Sequence, residues 1–450
     1  MFLPPSPYIP AGYIRNQVAG VDGFEFGAQG FDLEIGDLEV RKSKVFDRML
    51  RVGPGGSLNV RPLVLGDRVI AGCYNHILYC LSARSGGLAW KFAASGPVGS
   101  SSPATDGRKV FFGSWDQNAY ALDAGTGELC WKFATGGGIV KAGCLGRDSF
   151  CIGSKDGHVY CLDRESGGLV WKFRTFGIVN CAVMAADGKV FFGSYDRNFY
   201  CLSEDDGRLL WKFPTQGEIS SLNGALAHGG MVYFASMDNN LYAVNAGSGR
   251  LAWKLRVSDY GSSVFPVLAG GFICHAARDG SIIGISLDGR IIWRFGSAAA
   301  EAMGAPLADG GCIFTGSGDQ NLYCLDAAGR PVWKFPTKGQ VWGQPAIWGD
   351  SVIFGSWDCN LYSVDKDTGA QRWKYWTGGS PCHVPPPYES FRVQVRIPKE
   401  RLEEKKKLYD TSFAGEAEDA DGLYKSRITY QVSTHYREKG KYQDSADDGL

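Results

Sequence analysis

Through most of this chain, apolar residues come in short runs separated by turn-forming residues, and the runs recur in a fixed order. Between 98 and 133, Val98 to Ala104 is extended and follows a Gly-Pro break. Lys109-Val110-Phe111-Phe112-Gly113-Ser114 and Asn118-Ala119-Tyr120-Ala121-Leu122 are rich in β-branched and aromatic residues. Glu128-Leu129-Cys130-Trp131-Lys132-Phe133 closes the series. Asp106-Gly107, Asp116-Gln117-Asn118 and Asp123-Ala124-Gly125-Thr126-Gly127 stand between these runs as turns. The pattern predicts short antiparallel strands, four to a unit of about 40 residues.

The last strand sets the period. Its tryptophan recurs at 90, 131, 171, 211, 253, 293, 333 and 373, every 40 to 42 residues, which marks a repeat architecture. Along that strand Trp131 points one way and Lys132 the other; Lys172, Lys212, Lys254, Arg294 and Lys334 hold the same place. A ring at one radius in every unit would wedge between neighbouring sheets, and the alternating cation would keep the outer strand solvated. We expect an all-β, eight-bladed β-propeller of four-stranded antiparallel blades, with seven blades and a displaced unit as the alternative. Met49-Leu50-Arg51-Val52 reads as a degenerate extra strand that would join the outer edge of the last blade and help close the ring.

Ala121-Leu122-Asp123-Ala124-Gly125-Thr126-Gly127 followed by Trp131-Lys132-Phe133 resembles the tryptophan-docking repeat of the PQQ-like propeller family. So do Leu162-Asp163-Arg164-Glu165-Ser166-Gly167 with Trp171, and Val364-Asp365-Lys366-Asp367-Thr368-Gly369 with Trp373. The family includes quinoprotein dehydrogenases, the assembly lipoprotein BamB and binding propellers. The resemblance therefore implies the fold strongly and a function weakly, because the repeated residues are architectural.

Composition narrows the classes. Lys plus Arg equals Asp plus Glu at 47 each, so there is no basic footprint for nucleic acid or a membrane surface. No apolar run is long enough for a membrane span, and no secretory signal is evident at the start. The 13 cysteines include no Cys-x-x-Cys. Cys80, Cys161, Cys201 and Cys324 follow the tyrosine of one repeated strand, where other copies have Ala121, Ala243 or Ser363. That slot calls for a small side chain, so structural thiols in a reducing, cytoplasmic setting are expected, with no metal site.

Positions that differ between copies are the functional candidates. In the turn between the second and third strands, an almost constant aspartate is expected to cap the hairpin. The residue before it varies: Tyr74, Trp115, Lys155, Tyr195, Met237, Arg278, Gly318 and Trp357. Closure of the ring would make Trp357, Tyr74 and Trp115 neighbours. Lys155 and Tyr195 would continue that arc, with Trp342 nearby, as a site for a peptide or a flat ring. Near the channel, on inner strands, we place Asn59, Arg61, Lys141, Asn180, Glu301 and Gln344; Arg61 and Lys141 could hold a small anionic ligand.

No catalytic set is expected. A quinone enzyme needs the quinone, Ca2+ on several oxygen ligands and a carboxylate base. The resemblance adds an adjacent cysteine pair in the dehydrogenases, and this chain has none. PQQ with Ca2+ is therefore disfavoured. The histidines are scattered, with His76 and His158 read as occupying turn slots that other copies fill with Gln or Arg. Three segments are expected: an N-terminal arm over 1–45, the propeller over 46–378, and an extension of strand, short helix and strand over 379–450. The leading function is a non-catalytic scaffold with a protein partner; a quinone- or other small-ligand-binding oxidoreductase or sensor is the alternative.

Overall fold

The structure, a computed structural model, describes residues 56–378 apart from 100, 220–223, 260, 263, 278 and 297–303. The expected arm, the C-terminal extension and the extra strand at Met49–Val52 lie outside the described residues. Among those described there is no helix, and the strands form eight four-stranded sheets, each in the order first, second, third, fourth. Blade one runs through β1 (Leu63–Leu65), β2 (Arg68–Gly72), β3 (Ile77–Ser82) and β4 (Leu88–Ala93). The other blades repeat this over 104–134, 144–174, 184–214, 226–256, 267–296, 307–336 and 346–376. Eight blades, not seven, form the ring.

Strand alternation explains where the core sits. In blade two, Val110 and Phe112 face blade one and pack with Ile70, Leu78 and Cys80. Phe111, one residue along, faces blade three and packs with Phe150, Ile152 and Trp131. The second and third strands are thus buried on both faces, and the hydrophobic core is a set of layers between blades. Burying each such phenylalanine contributes roughly 2 kcal/mol. The fourth strand has the outward alternation: Lys132 is exposed while Trp131 is buried.

Each repeated tryptophan is fastened to the following blade. The Trp131 Nε1–H donates to the Arg164 carbonyl at 3.1 Å, and the ring lies on Gly167, whose φ is +74°. A Cβ there would come within 2.6 Å of the indole, so glycine is required by both space and backbone. On its own blade Trp131 sits opposite Ala121, and the equivalent partners are Cys80, Cys161, Cys201, Ala243, Gly284, Cys324 and Ser363. The small-residue slot is the space the ring needs.

The ring closes through the same contacts. Trp373 Nε1–H donates to the Ala83 carbonyl at 2.8 Å, and Gly86 takes its ring. The Leu58 N–H donates to Ser356 at 3.3 Å, and the Asn75 amide and Tyr79 hydroxyl donate to the Thr377 carbonyl at 2.8 and 2.9 Å. One sequence expectation is corrected here. Val98 to Ala104 is not one strand: only Ala104–Thr105 pairs within blade two. The Val98 N–H instead bonds to Cys73 of blade one, so this segment follows its neighbour before joining its own sheet.

Candidate functional site

One face of the ring carries the turns between second and third strands together with the loops that lead from each fourth strand into the next blade. The turn of blade two shows how the chain builds it. Asp116 accepts the Asn118 N–H at 3.0 Å, while Gln117 takes φ 72°. Its other oxygen accepts the Tyr120 hydroxyl at 2.7 Å and the Ser95 N–H of the incoming loop at 2.9 Å. The aspartate column therefore caps its own hairpin and ties down the neighbouring loop. In blade three the equivalent Tyr160 is pushed up to about 12, by burial first and then by its bond to Asp156. These acids serve the fold.

The residue before each aspartate is held by its backbone: Trp115 N–H to Pro97, Lys155 N–H to Gly138 and Tyr195 N–H to Ile178, each 3.0 Å. The structure brings several of these side chains together. Tyr74 meets Trp115 edge-on at 6.2 Å, and the Lys155 ammonium stands 4.8 Å from the Trp115 ring centre. In blade four the Asn180 amide donates to the Tyr195 hydroxyl at 2.9 Å. In blade eight Trp342 and Trp357 lie 4.3 Å apart with 44° between their planes, and both indole N–H groups are buried with no acceptor. All seven of these side chains are partly exposed. Arg278 and Glu301 lie outside the described residues.

The channel candidates divide. Arg61 and Gln344 border a central cavity of about 390 Å3, with Ser102, Phe265 and Ile347 also in its wall. Arg61 reaches solvent there, while the protein around it pulls its guanidinium below the usual value by burial. Lys141 does not border this cavity. Arg61, Lys141 and Asn180 precede the first strands of their blades instead of lying on them, because the incoming segments bond first to the preceding blade. Lys141 is only 8% exposed. Burial, and then Lys155, bring its ammonium down to about 8.

Two features escaped the sequence reading. Phe176 is 94% exposed on the loop into blade four, its N–H bonded to Asp196 at 3.0 Å. The signal was present: Gly136, Gln216 and Lys338 fill the same place after a threonine. His275 is fully buried against the Ser262 hydroxyl at 2.7 Å, and its Nδ1 has no partner. One histidine slot is also corrected. His76 takes the positive-φ turn position of Gln117 and Arg197, but His158 begins the third strand, where other blades have Asn118 and Asn198. Gly157 fills the turn position in blade three.

No set of three His, Cys, Asp or Glu side chains among the described residues is placed to hold a metal ion. Among the described residues the cavity wall contains no carboxylate, so these donors do not fit a Ca2+-bound quinone, which needs several oxygen ligands and a base. No helix among the described residues is long and apolar enough to cross a membrane.

A family model described as outer membrane protein assembly factor BamB matches residues 43–148, 116–264, 201–305 and 278–390. No curated protein sequence matches the chain. Among solved structures, BamB from Moraxella catarrhalis is similar at TM-score 0.57 and 19% identity, covering 68% of this chain and 91% of that one. The computationally designed Ika8 protein is similar at TM-score 0.61 and 16% identity, covering 72% and 98%. A europium-containing methanol dehydrogenase reaches TM-score 0.57 at 13% identity, covering 70% and 84%. At these identities the likenesses concern the fold.

Proposed function

This chain belongs to the BamB-type family of PQQ-like propellers, and on that footing we propose that it is a non-catalytic binding module that docks a protein partner on its turn face. The observation that carries the proposal is Phe176, 94% exposed on the same face as the Tyr74, Trp115 and Lys155 contacts. A ring left in water serves no packing purpose, and covering it in a complex would contribute roughly 2 kcal/mol. The residues that vary between blades gather on this face, while the invariant ones are engaged in holding blades together. The description of the family as an assembly factor supports a role in bringing other proteins together.

A protein partner is favoured over nucleic acid, because the chain has equal numbers of positive and negative residues. No resident cofactor belongs to this reading, since the described residues of the cavity wall offer a Ca2+-bound quinone neither carboxylate nor base. We also place the protein in a reducing, cytoplasmic setting. Burial pushes thiols such as Cys73, Cys181 and Cys201 up to about 12, which suits packing and not exchange chemistry.

The test is a native pull-down with wild-type protein and Phe176→Ala. The variant should lose most of the specific partner with an unchanged melting temperature; equal recovery by both would remove the main support. Trp115→Ala is a poorer probe, because Tyr74 and Lys155 rest on that ring. Incubation with PQQ and Ca2+ under dye-linked turnover gives the opposing outcome: stoichiometric binding with oxidation of an alcohol would make the chain an enzyme.

A further inference from the structure

We propose that the cationic group of Lys141 and Lys155, set on the turn face among residues of blades two, three and four, receives a carboxylate side chain of the partner, so that the docking segment is acidic with an apolar residue beside the acid. This rests on the binding reading above and names the partner's chemistry.

The group centres on a lysine that the fold does not need. Lys141 is 8% exposed, and no carboxylate among the described residues pairs with its ammonium. Its charged neighbour is another cation, Lys155, and the adjacent Cys181 thiol is pushed up to about 12 by burial and so stays neutral. The incoming segments are in register, since Ile139 and Val179 make the same bond to the preceding blade. The place of Lys141 is therefore held by Cys181 in blade four, and a small neutral side chain satisfies it. A buried ammonium without a counter-ion is costly, and a carboxylate arriving from outside removes that cost.

The surroundings agree. The Lys155 ammonium stands over Trp115 at 4.8 Å. Asn180 keeps its amide on Tyr195 while its Oδ1 is buried without a partner. Phe176 stands next to this group, tied through Asp196 to the turn that carries Tyr195. Cations inside and an exposed ring at the edge match an acidic residue flanked by an apolar one. The depressed Lys141 ammonium, held near 8 by burial and by Lys155, would return toward its ordinary value once a carboxylate is bound.

The full-length chain is to be acetylated at about pH 8 with and without a hexaglutamate peptide, and Lys141 modification followed by mass spectrometry. Hexaglutamate should slow acetylation of Lys141 about fivefold or more, because a rise of its pKa from about 8 to about 9 cuts the free amine at pH 8 from about a half to about a tenth. Hexaglutamine should leave it unchanged. Equal protection by hexaglutamine, or by acetate at matched carboxylate concentration, overturns the inference in favour of simple steric or anion effects. Lys155→Gln should weaken the hexaglutamate effect, and Lys141→Met should fold with a melting temperature at or above wild type; a drop would assign Lys141 to packing and sink the idea. In the pull-down, loss of the partner with Lys155→Gln supports the inference. A partner retained by both variants overturns it and leaves the scaffold reading intact. Failure of the wild type to recover any partner removes the scaffold reading, while the hexaglutamate result still decides whether Lys141 takes a carboxylate.

Discussion

His275 stands where four other blades place Phe112, Phe192, Phe234 and Phe354 on the second strand. Burial lowers it from 6.5 to about 4. Between those values the unfolded chain takes up a proton that the folded chain refuses, so stability falls as pH drops from about 6.5 to about 4. A shift of that size corresponds to a loss on the order of 3 kcal/mol. His275→Phe should abolish this acid sensitivity, giving a larger gain in melting temperature at pH 5 than at pH 7.5; an equal gain at both would point to packing alone. Gly127 makes the complementary case. Its φ is +76° and a Cβ would lie 2.6 Å from the Trp90 ring, so Gly127→Ala should cost roughly 2 kcal/mol or more in urea denaturation. The sequence displayed that glycine as a turn residue, but its second duty, as the seat of a neighbour's indole, became visible only in three dimensions.

A blade is a unit of sequence without being a unit of stability. Each has four strands, yet its apolar side chains are divided between two interfaces, so the bond from Trp131 to the Arg164 carbonyl matters to two blades at once. Trp131→Phe would keep most of the ring and lose this bond. It should cost about 1 kcal/mol in chemical denaturation, and Trp131→Ala several times more. A single cooperative transition is expected for both variants; a separate early transition of one blade would contradict shared interfaces. The strand pattern, the period and the outward lysines were legible because alternation and turn chemistry are local. The innermost strands were misjudged because the partner of Val98 is Cys73 in the preceding blade, and no local pattern announces that. The turn-face arc was legible in its members, since variation between copies picks them out. It was not legible in its contacts: the Trp342–Trp357 pair forms within blade eight, whereas the Tyr74–Trp115–Lys155 chain crosses blades one to three.

At the scale of the whole molecule, seven junctions between blades are bridged by the chain and the eighth is held by side chains and a few backbone bonds. That junction uses the Trp373 bond to Ala83, the Thr377 carbonyl and the Leu58 N–H. Opening it releases far more chain freedom than loosening any other junction, because residues about 290 apart in sequence are joined there. Native-state hydrogen exchange should therefore show weaker protection for Leu58 than for its equivalents Ile139 and Val179; uniform protection around the ring would mean that covalent continuity contributes nothing. The same seam governs how the molecule is made. The layer that contains Val69, Ala71, Tyr79 and Leu81 is completed by Ile353, Leu361 and Trp373, which leave the ribosome almost 300 residues later. At 5–20 residues per second this leaves the first blade with one bare apolar side for roughly 15 to 60 s, long enough for a nascent-chain chaperone to engage it. The blade made first is thus the last to have both its faces buried.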